Sequence, residues 1–185
     1  MNNLNGLRCY LSYPIEFASS EESFNKEILC SFLEMKGTKI LDPKKIKFDG
    51  ISEIEERKQL FEDNDFKEIR KQMKKIVRKD LRCVDISDFI IALLPKDIKT
   101  TGTTHEIIES DRQRKPTLIV CPEGIKHIPI WFFGIVPVQY MFDSIEKLVE
   151  YLNFIDEHDM DCEDAIFDDR WQFIINDLAD ESTGF

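Results

Sequence analysis

The apolar positions of this chain alternate between the period of a strand and the period of a helix. Residues 7–12 (Leu-Arg-Cys-Tyr-Leu-Ser) read as a buried first strand, closed by Tyr13-Pro14. Ser19 or Ser20 then caps a helix whose apolar positions Phe24, Ile28, Phe32 and Met35 fall at helical spacing, with Gly37 at its end. Lys39-Ile40-Leu41 is a short second strand, and the polar stretch 44–62, which has no clear period, reads as a loop with a helical turn. Phe66, Ile69, Met73, Ile76, Val77, Leu81 and Val84 keep helical spacing and predict a long helix that buries this face, with Lys and Arg on the solvated side. Asp88 to Leu94 is apolar almost throughout, the pattern of a central parallel strand covered on both faces. A polar loop from Pro95 to Gly102 leads into a helix over about Thr104–Arg114, and Pro116–Cys121 is another central strand. Ile135 to Phe142 gives a fifth, and Ser144 opens a last helix carrying Ile145, Leu148, Val149 and Leu152.

Such alternation, without repeats or low-complexity linkers, predicts an α/β domain: an open five-stranded parallel sheet with helices on both faces. Ligands of these sheets sit beyond the carboxyl ends of the strands, at the point where strand order reverses. Ser12-Tyr13-Pro14 after the first strand and the loop 95–104 after the third are therefore the places to look for a site.

Composition changes this picture mainly at the C-terminus. The chain has 185 residues, 42% of them hydrophobic with fourteen Phe, enough to build one full core. Of the net charge of −11, residues 155–185 carry −10, through eleven Asp and Glu against Arg170 alone. This divides the chain into a nearly neutral domain, 1–154, and an acidic extension, 155–185, in which Trp171, Phe173, Ile174 and Ile175 suggest a short docking helix over roughly 164–180. Acidity of that kind repels a nucleic-acid backbone, so duplex DNA or RNA is not an expected partner. No apolar run approaches 18 residues and no basic segment leads into one at the N-terminus, so neither a membrane span nor a signal peptide is expected. The five cysteines show no CxxC spacing and three lie in apolar runs, which suits buried thiols in a reducing, cytoplasmic setting.

Three residues stand out for chemistry. Asp80 falls on the apolar face of the long helix, where a carboxylate is costly unless paired or used; it is either an acid facing a pocket or a core-edge group satisfied by a backbone donor or Arg82. Glu106 follows Thr103 by three residues, the spacing of a capping box. That helix start also lies at the switch point, after Gly102-Thr103-Thr104, where the sugar or phosphate of a ligand would lie. Tyr10 in the first strand is either core packing or, facing the cleft, a hydroxyl that orients a carboxylate. His105 and His127 have no partners at metal-ligand spacing, and no GxGxxG, Walker A, GxSxG or HExxH motif occurs. Neither a metal nor a cofactor is expected.

Together these segments resemble the nucleoside 2-deoxyribosyltransferase family, over about residues 7–142. Cys-Tyr-Leu-Ser-Tyr-Pro is similar to the family's Tyr-Leu-Ala-Gly-Pro opening, and Asp80 through Ala92 to its aspartate-then-strand segment. Gly102-Thr-Thr-His-Glu106, followed by Lys115-Pro116-Thr-Leu-Ile-Val, is similar to its Gly-Thr-x-x-Glu helix and next strand. The resemblance implies a flavodoxin-like (Rossmann-like) fold, Glu106 as nucleophile, Tyr10 holding that carboxylate and Asp80 contacting or protonating the base. Ser12, Tyr13, Thr100, Gly102, Thr103 and Trp131 would then contact substrate. The partners would be a nucleoside or nucleotide and a free nucleobase. A carboxylate attacking the anomeric carbon splits the displacement into two steps, and a second base or water then takes the sugar.

The chain also departs from the pattern. Tyr13 replaces a Gly, making that corner of the pocket bulkier. Thr100 stands where some members place an acid, and a neutral hydroxyl there tolerates a 5′-phosphate, which keeps nucleoside 5′-monophosphate N-glycosidase chemistry as an alternative. The related hydrolases' Gly-Gly-Arg loop is absent, however, with Ile15-Glu16-Phe17-Ala18 in its place. Members complete their sites with a polar residue from a neighbouring subunit; the matching stretch here, His127 to Phe133, is nearly all apolar and reads as a homo-oligomer interface with an aromatic base-stacking surface. A non-catalytic nucleotide sensor on the same fold, or an unrelated scaffold in which Glu106 is only a cap, are the remaining readings.

Overall fold

A computed structural model of the chain describes residues 2–14, 20–42, 50–98, 101–158 and 169–175. In chain order the elements are β1 (Arg8–Ser12), α1 (Ser20–Met35), β2 (Lys39–Leu41), α2 (Gly50–Glu62), α3 (Phe66–Ile86), β3 (Phe89–Leu93), α4 (Thr101–Arg112), β4 (Thr117–Val120), β5 (Met141–Phe142) and α5 (Ile145–Glu157). All five strands are parallel, in the order β2-β1-β3-β4-β5. This is the doubly wound flavodoxin-like arrangement, with its switch point between β1 and β3. Helix α1 packs with α5, and α3 with α4, so the sheet is covered on both faces.

The central strands form as their composition requires. β1, β3 and β4 bury nearly every side chain, and register pairs Tyr10 with Ile90 and Ser12 with Ala92. Because side chains alternate across a strand, Tyr10 and Ser12 share one face while Cys9 and Leu11 share the other. Helix α1 ends into Gly37, whose φ of +78° is the left-handed conformation a glycine adopts without strain.

Three expectations need correction. The segment 44–62 is more than a loop with a turn: residues 50–62 form α2, a helix packed against α3. Its apolar positions are too sparse to signal a helix, and it relies on its neighbour, with Phe61 edge-on to Phe66 at 5.9 Å. The fifth strand is only Met141–Phe142, because Pro137 has no N–H for a ladder and a 3-10 turn at Val138–Tyr140 takes up the preceding residues. The stripe on α3 is not buried along its length, since Phe66, Met73 and Val77 are 56%, 38% and 41% exposed. A helix of 21 residues is about 31 Å long and a five-residue strand about 17 Å, so α3 outruns the sheet, and α2 packed against it leaves these side chains partly exposed.

Helix α5 runs past residue 154 to Glu157, and residues 169–175 are helical. Trp171 in that short helix is fully buried, tilted against Phe89 at 5.2 Å, with its indole N–H donating to the Tyr151 hydroxyl at 2.9 Å. Among the described residues no helix is long and apolar enough to cross a membrane.

Candidate active site

Glu106 lies six residues into α4, 7% exposed, with its carboxylate directed onto β1. The Tyr10 hydroxyl donates to Glu106 Oε1 at 3.0 Å, and the Ser12 hydroxyl donates to Oε2. Strand periodicity makes this possible: residues two apart on β1 point the same way, and both oxygens of one carboxylate meet a hydroxyl.

This geometry decides against a capping box. Helix α4 begins at Thr101, earlier than expected, so Thr103 sits inside the first turn instead of at the N-cap. The Glu106 carboxylate bonds to strand hydroxyls, across 96 and 94 residues of sequence.

Asp80 reaches the same region from α3. It is partly buried, and among the described residues no hydrogen bond or ion pair holds it. Its helix is anchored at both ends. The Asp65 carboxylate caps its start by accepting from the Glu68 N–H at 3.2 Å, and the Lys115 ammonium donates to the carbonyls of Val84 and Asp85 at its end.

The electrostatics follow from burial and proximity. Desolvation, then the charge of Glu106, pushes the Asp80 carboxyl up to about 6, with Lys79 pulling it down. Burial raises Glu106 as well, while the Ser12 and Tyr10 hydroxyls, and then His105, pull it down by stabilising the anion. Burial and the charges of Glu106 and Asp80 drive the Tyr10 phenol far upward, so it remains a donor at any working pH. The result is two carboxylates of different character: one held by two hydroxyls, the other poised to carry a proton near neutrality.

The other expected contacts divide. Thr103 is buried and Gly102 exposed in the first turn of α4, while Thr100 lies outside the described residues. Tyr13 turns to the α1 side. Its hydroxyl donates to Asp42 Oδ1 at 2.9 Å and accepts from Lys26, whose ammonium pairs with Asp42 Oδ2 at 2.8 Å and lies 4.0 Å from the Tyr13 ring centroid. Neither Lys26 nor Asp42 stood out in the sequence, since one lies on a helix and the other before Pro43, where an Asp usually marks a turn. Trp131 stands 72% exposed in a 3-10 turn (Ile130–Gly134) following β4, beside exposed Ile130 and Phe133, whereas Phe132 joins the core.

No family model matches the chain, and no curated protein matches it. Among solved structures it is similar to a 2-deoxyribosyltransferase from Bacillus psychrosaccharolyticus, at 17% identity and a TM-score of 0.52, covering 83% of this chain and 93% of that one. A CMP N-glycosidase from Clostridium botulinum matches at 18% identity and a TM-score of 0.49, over 80% and 98% of the two chains. A 2-deoxyribosyltransferase from Leishmania mexicana matches at 17% and 0.49, over 82% and 99%. At this identity the first likeness establishes the fold: the chain has the flavodoxin-like α/β architecture of a 2-deoxyribosyltransferase.

Proposed function

We propose that this protein cleaves or exchanges the N-glycosidic bond of a nucleoside or nucleotide through a glycosyl ester on Glu106. The observation that carries this reading is the buried Glu106 carboxylate, held by Tyr10 and Ser12 at the switch point and electrostatically coupled to Asp80. Burial alone calls for the two hydroxyl donors; what a purely structural carboxylate does not call for is a second acid coupled to it that has no hydrogen bond or ion pair among the described residues. The fold shared with an enzyme whose name gives that chemistry, and the motif resemblance over residues 7–142, support the same assignment.

In the first step a Glu106 oxygen attacks the anomeric carbon as the bond to the base nitrogen breaks. The electron pair leaves with the base, which takes a proton from Asp80. In the second step water or the nitrogen of another base attacks the same carbon. The ester bond breaks, its electrons return to Glu106, and Asp80 recovers the proton. An acid with a pKa of about 6 can both give and take that proton near neutrality.

We also propose self-association through the face bearing Ile130, Trp131, Phe133 and Val138, which are 89%, 72%, 41% and 57% exposed.

The test of the chemistry is to incubate the protein with a panel of nucleosides and 5′-monophosphates, with and without a second free base, and separate the products. Release of base, or appearance of a new nucleoside when a second base is added, is the expected result. No turnover across the panel would count against catalysis and favour a sensor.

A further inference from the structure

The hydroxyl of Ser12 is a positioning group that the reaction residues do not account for. It is 1% exposed and donates to Glu106 Oε2 while Tyr10 occupies Oε1. A carboxylate held at one oxygen can swing about its Cγ–Cδ bond; held at both by hydroxyls fixed two residues apart on one strand, it cannot. We propose that Ser12 is a positioning residue that keeps Glu106 ionised and fixes the plane of its carboxylate, and that it thereby favours breakdown of the glycosyl ester over its formation. This rests on the chemistry proposed above.

The argument concerns which state the hydrogen bond prefers. A hydroxyl bonds more strongly to a carboxylate anion than to an ester oxygen. The anion is the nucleophile before the first step and the leaving group of the second. Ser12 therefore holds the carboxylate ionised against the burial that would otherwise protonate it. By the same preference it weakens the nucleophile in the first step and improves the leaving group in the second. Its lone donor costs some attack rate and shortens the life of the covalent species.

The test uses Ser12→Ala, Ser12→Cys (near-isosteric, a weak donor) and Ser12→Thr (hydroxyl retained) in the full chain. In Ser12→Ala and Ser12→Cys the acid limb of the kcat/KM profile should move to higher pH. The glycosyl ester should accumulate, seen as a larger burst and a raised steady-state level of sugar-adducted protein in intact mass spectra. At the acid end kcat/KM should fall about tenfold or more, the consequence of one lost hydrogen bond to a charged group. Ser12→Thr should restore the wild-type limb. An unmoved limb and unchanged adduct level in a folded Ala or Cys variant would overturn the proposal.

A second readout separates this inference from the assigned chemistry. Titration of the Glu106 carboxyl by carbon NMR, with Glu106→Gln to assign the signal, needs no turnover. An upward shift in Ser12→Ala and Ser12→Cys, absent in Ser12→Thr, upholds the clamp even if no nucleoside is a substrate; no shift in the Ala and Cys variants removes it even if the enzyme is active.

Discussion

The Tyr10 hydroxyl lies 3.0 Å from Glu106 Oε1, joining the middle of β1 to the second turn of α4 across the switch point. The phenol is too hard to ionise here to act as a base, so it serves only as a donor. Tyr10→Phe keeps the ring in the core and deletes that donor. We expect kcat/KM to fall by about tenfold, from the loss of one hydrogen bond to a charged group, with the acid limb displaced to higher pH. A pH-rate profile of the variant checks both.

Asp80 should show its role in stability as well as in rate. Its carboxyl is raised in the folded state above the unfolded value, so the native state binds the proton more tightly. Its contribution to stability therefore falls as pH rises from about 4 through about 6. Asp80→Asn removes the charge. The variant should be more stable than wild type at pH 7, by about 1 kcal/mol once partial exposure is allowed for, and lose that advantage near pH 4. Turnover should fall most for substrates whose base is the poorest leaving group. Thermal unfolding at the two pH values, with rates for a good and a poor leaving group, measures both effects.

Much of this was readable from the chain because the core elements carry redundant signals. Phe89 to Leu93 and Thr117 to Val120 are apolar on both faces, which in a strand of that length means the middle of a parallel sheet. Glu106 and Tyr10 could be marked as candidates because the first strand and the start of α4 meet at the switch point, but sequence alone left a helix cap and core packing open as their other readings. The Ser12 contact was harder to see. Periodicity puts Ser12 on the same face as Tyr10, but nothing local says that one carboxylate will span both. The Tyr13–Lys26–Asp42 cluster joins three elements and leaves no pattern in any one of them. On α3, helical spacing reveals an apolar face without saying how far the sheet extends to cover it, so Phe66 and Met73 looked like core.

The exposed turn after β4 makes a prediction about assembly. Ile130 and Trp131 are costly to leave in water, and a second copy that covered them would remove that cost. Sedimentation at micromolar concentration should show a dimer or larger species, and Trp131→Glu should dissociate it while leaving the far-ultraviolet circular dichroism unchanged. A wild-type monomer would contradict the assignment of this face.

The central claim is that Glu106 attacks the sugar. Glu106→Gln keeps the size of the side chain, and its amide oxygen can accept from one of the two hydroxyls while its NH2 donates to the other, but it lacks the attacking charge. Turnover should fall at least about a hundredfold with the fold intact, as expected when a nucleophile is removed. The most direct measurement is intact mass spectrometry after incubation with a 2-fluoro sugar nucleoside, which slows release of the ester. Wild type should gain the mass of one fluorinated sugar, mapped to the peptide containing Glu106, and Glu106→Gln should gain nothing. Wild type that turns over the parent nucleoside yet never carries the adduct, or a Gln variant that keeps its activity, would contradict the account.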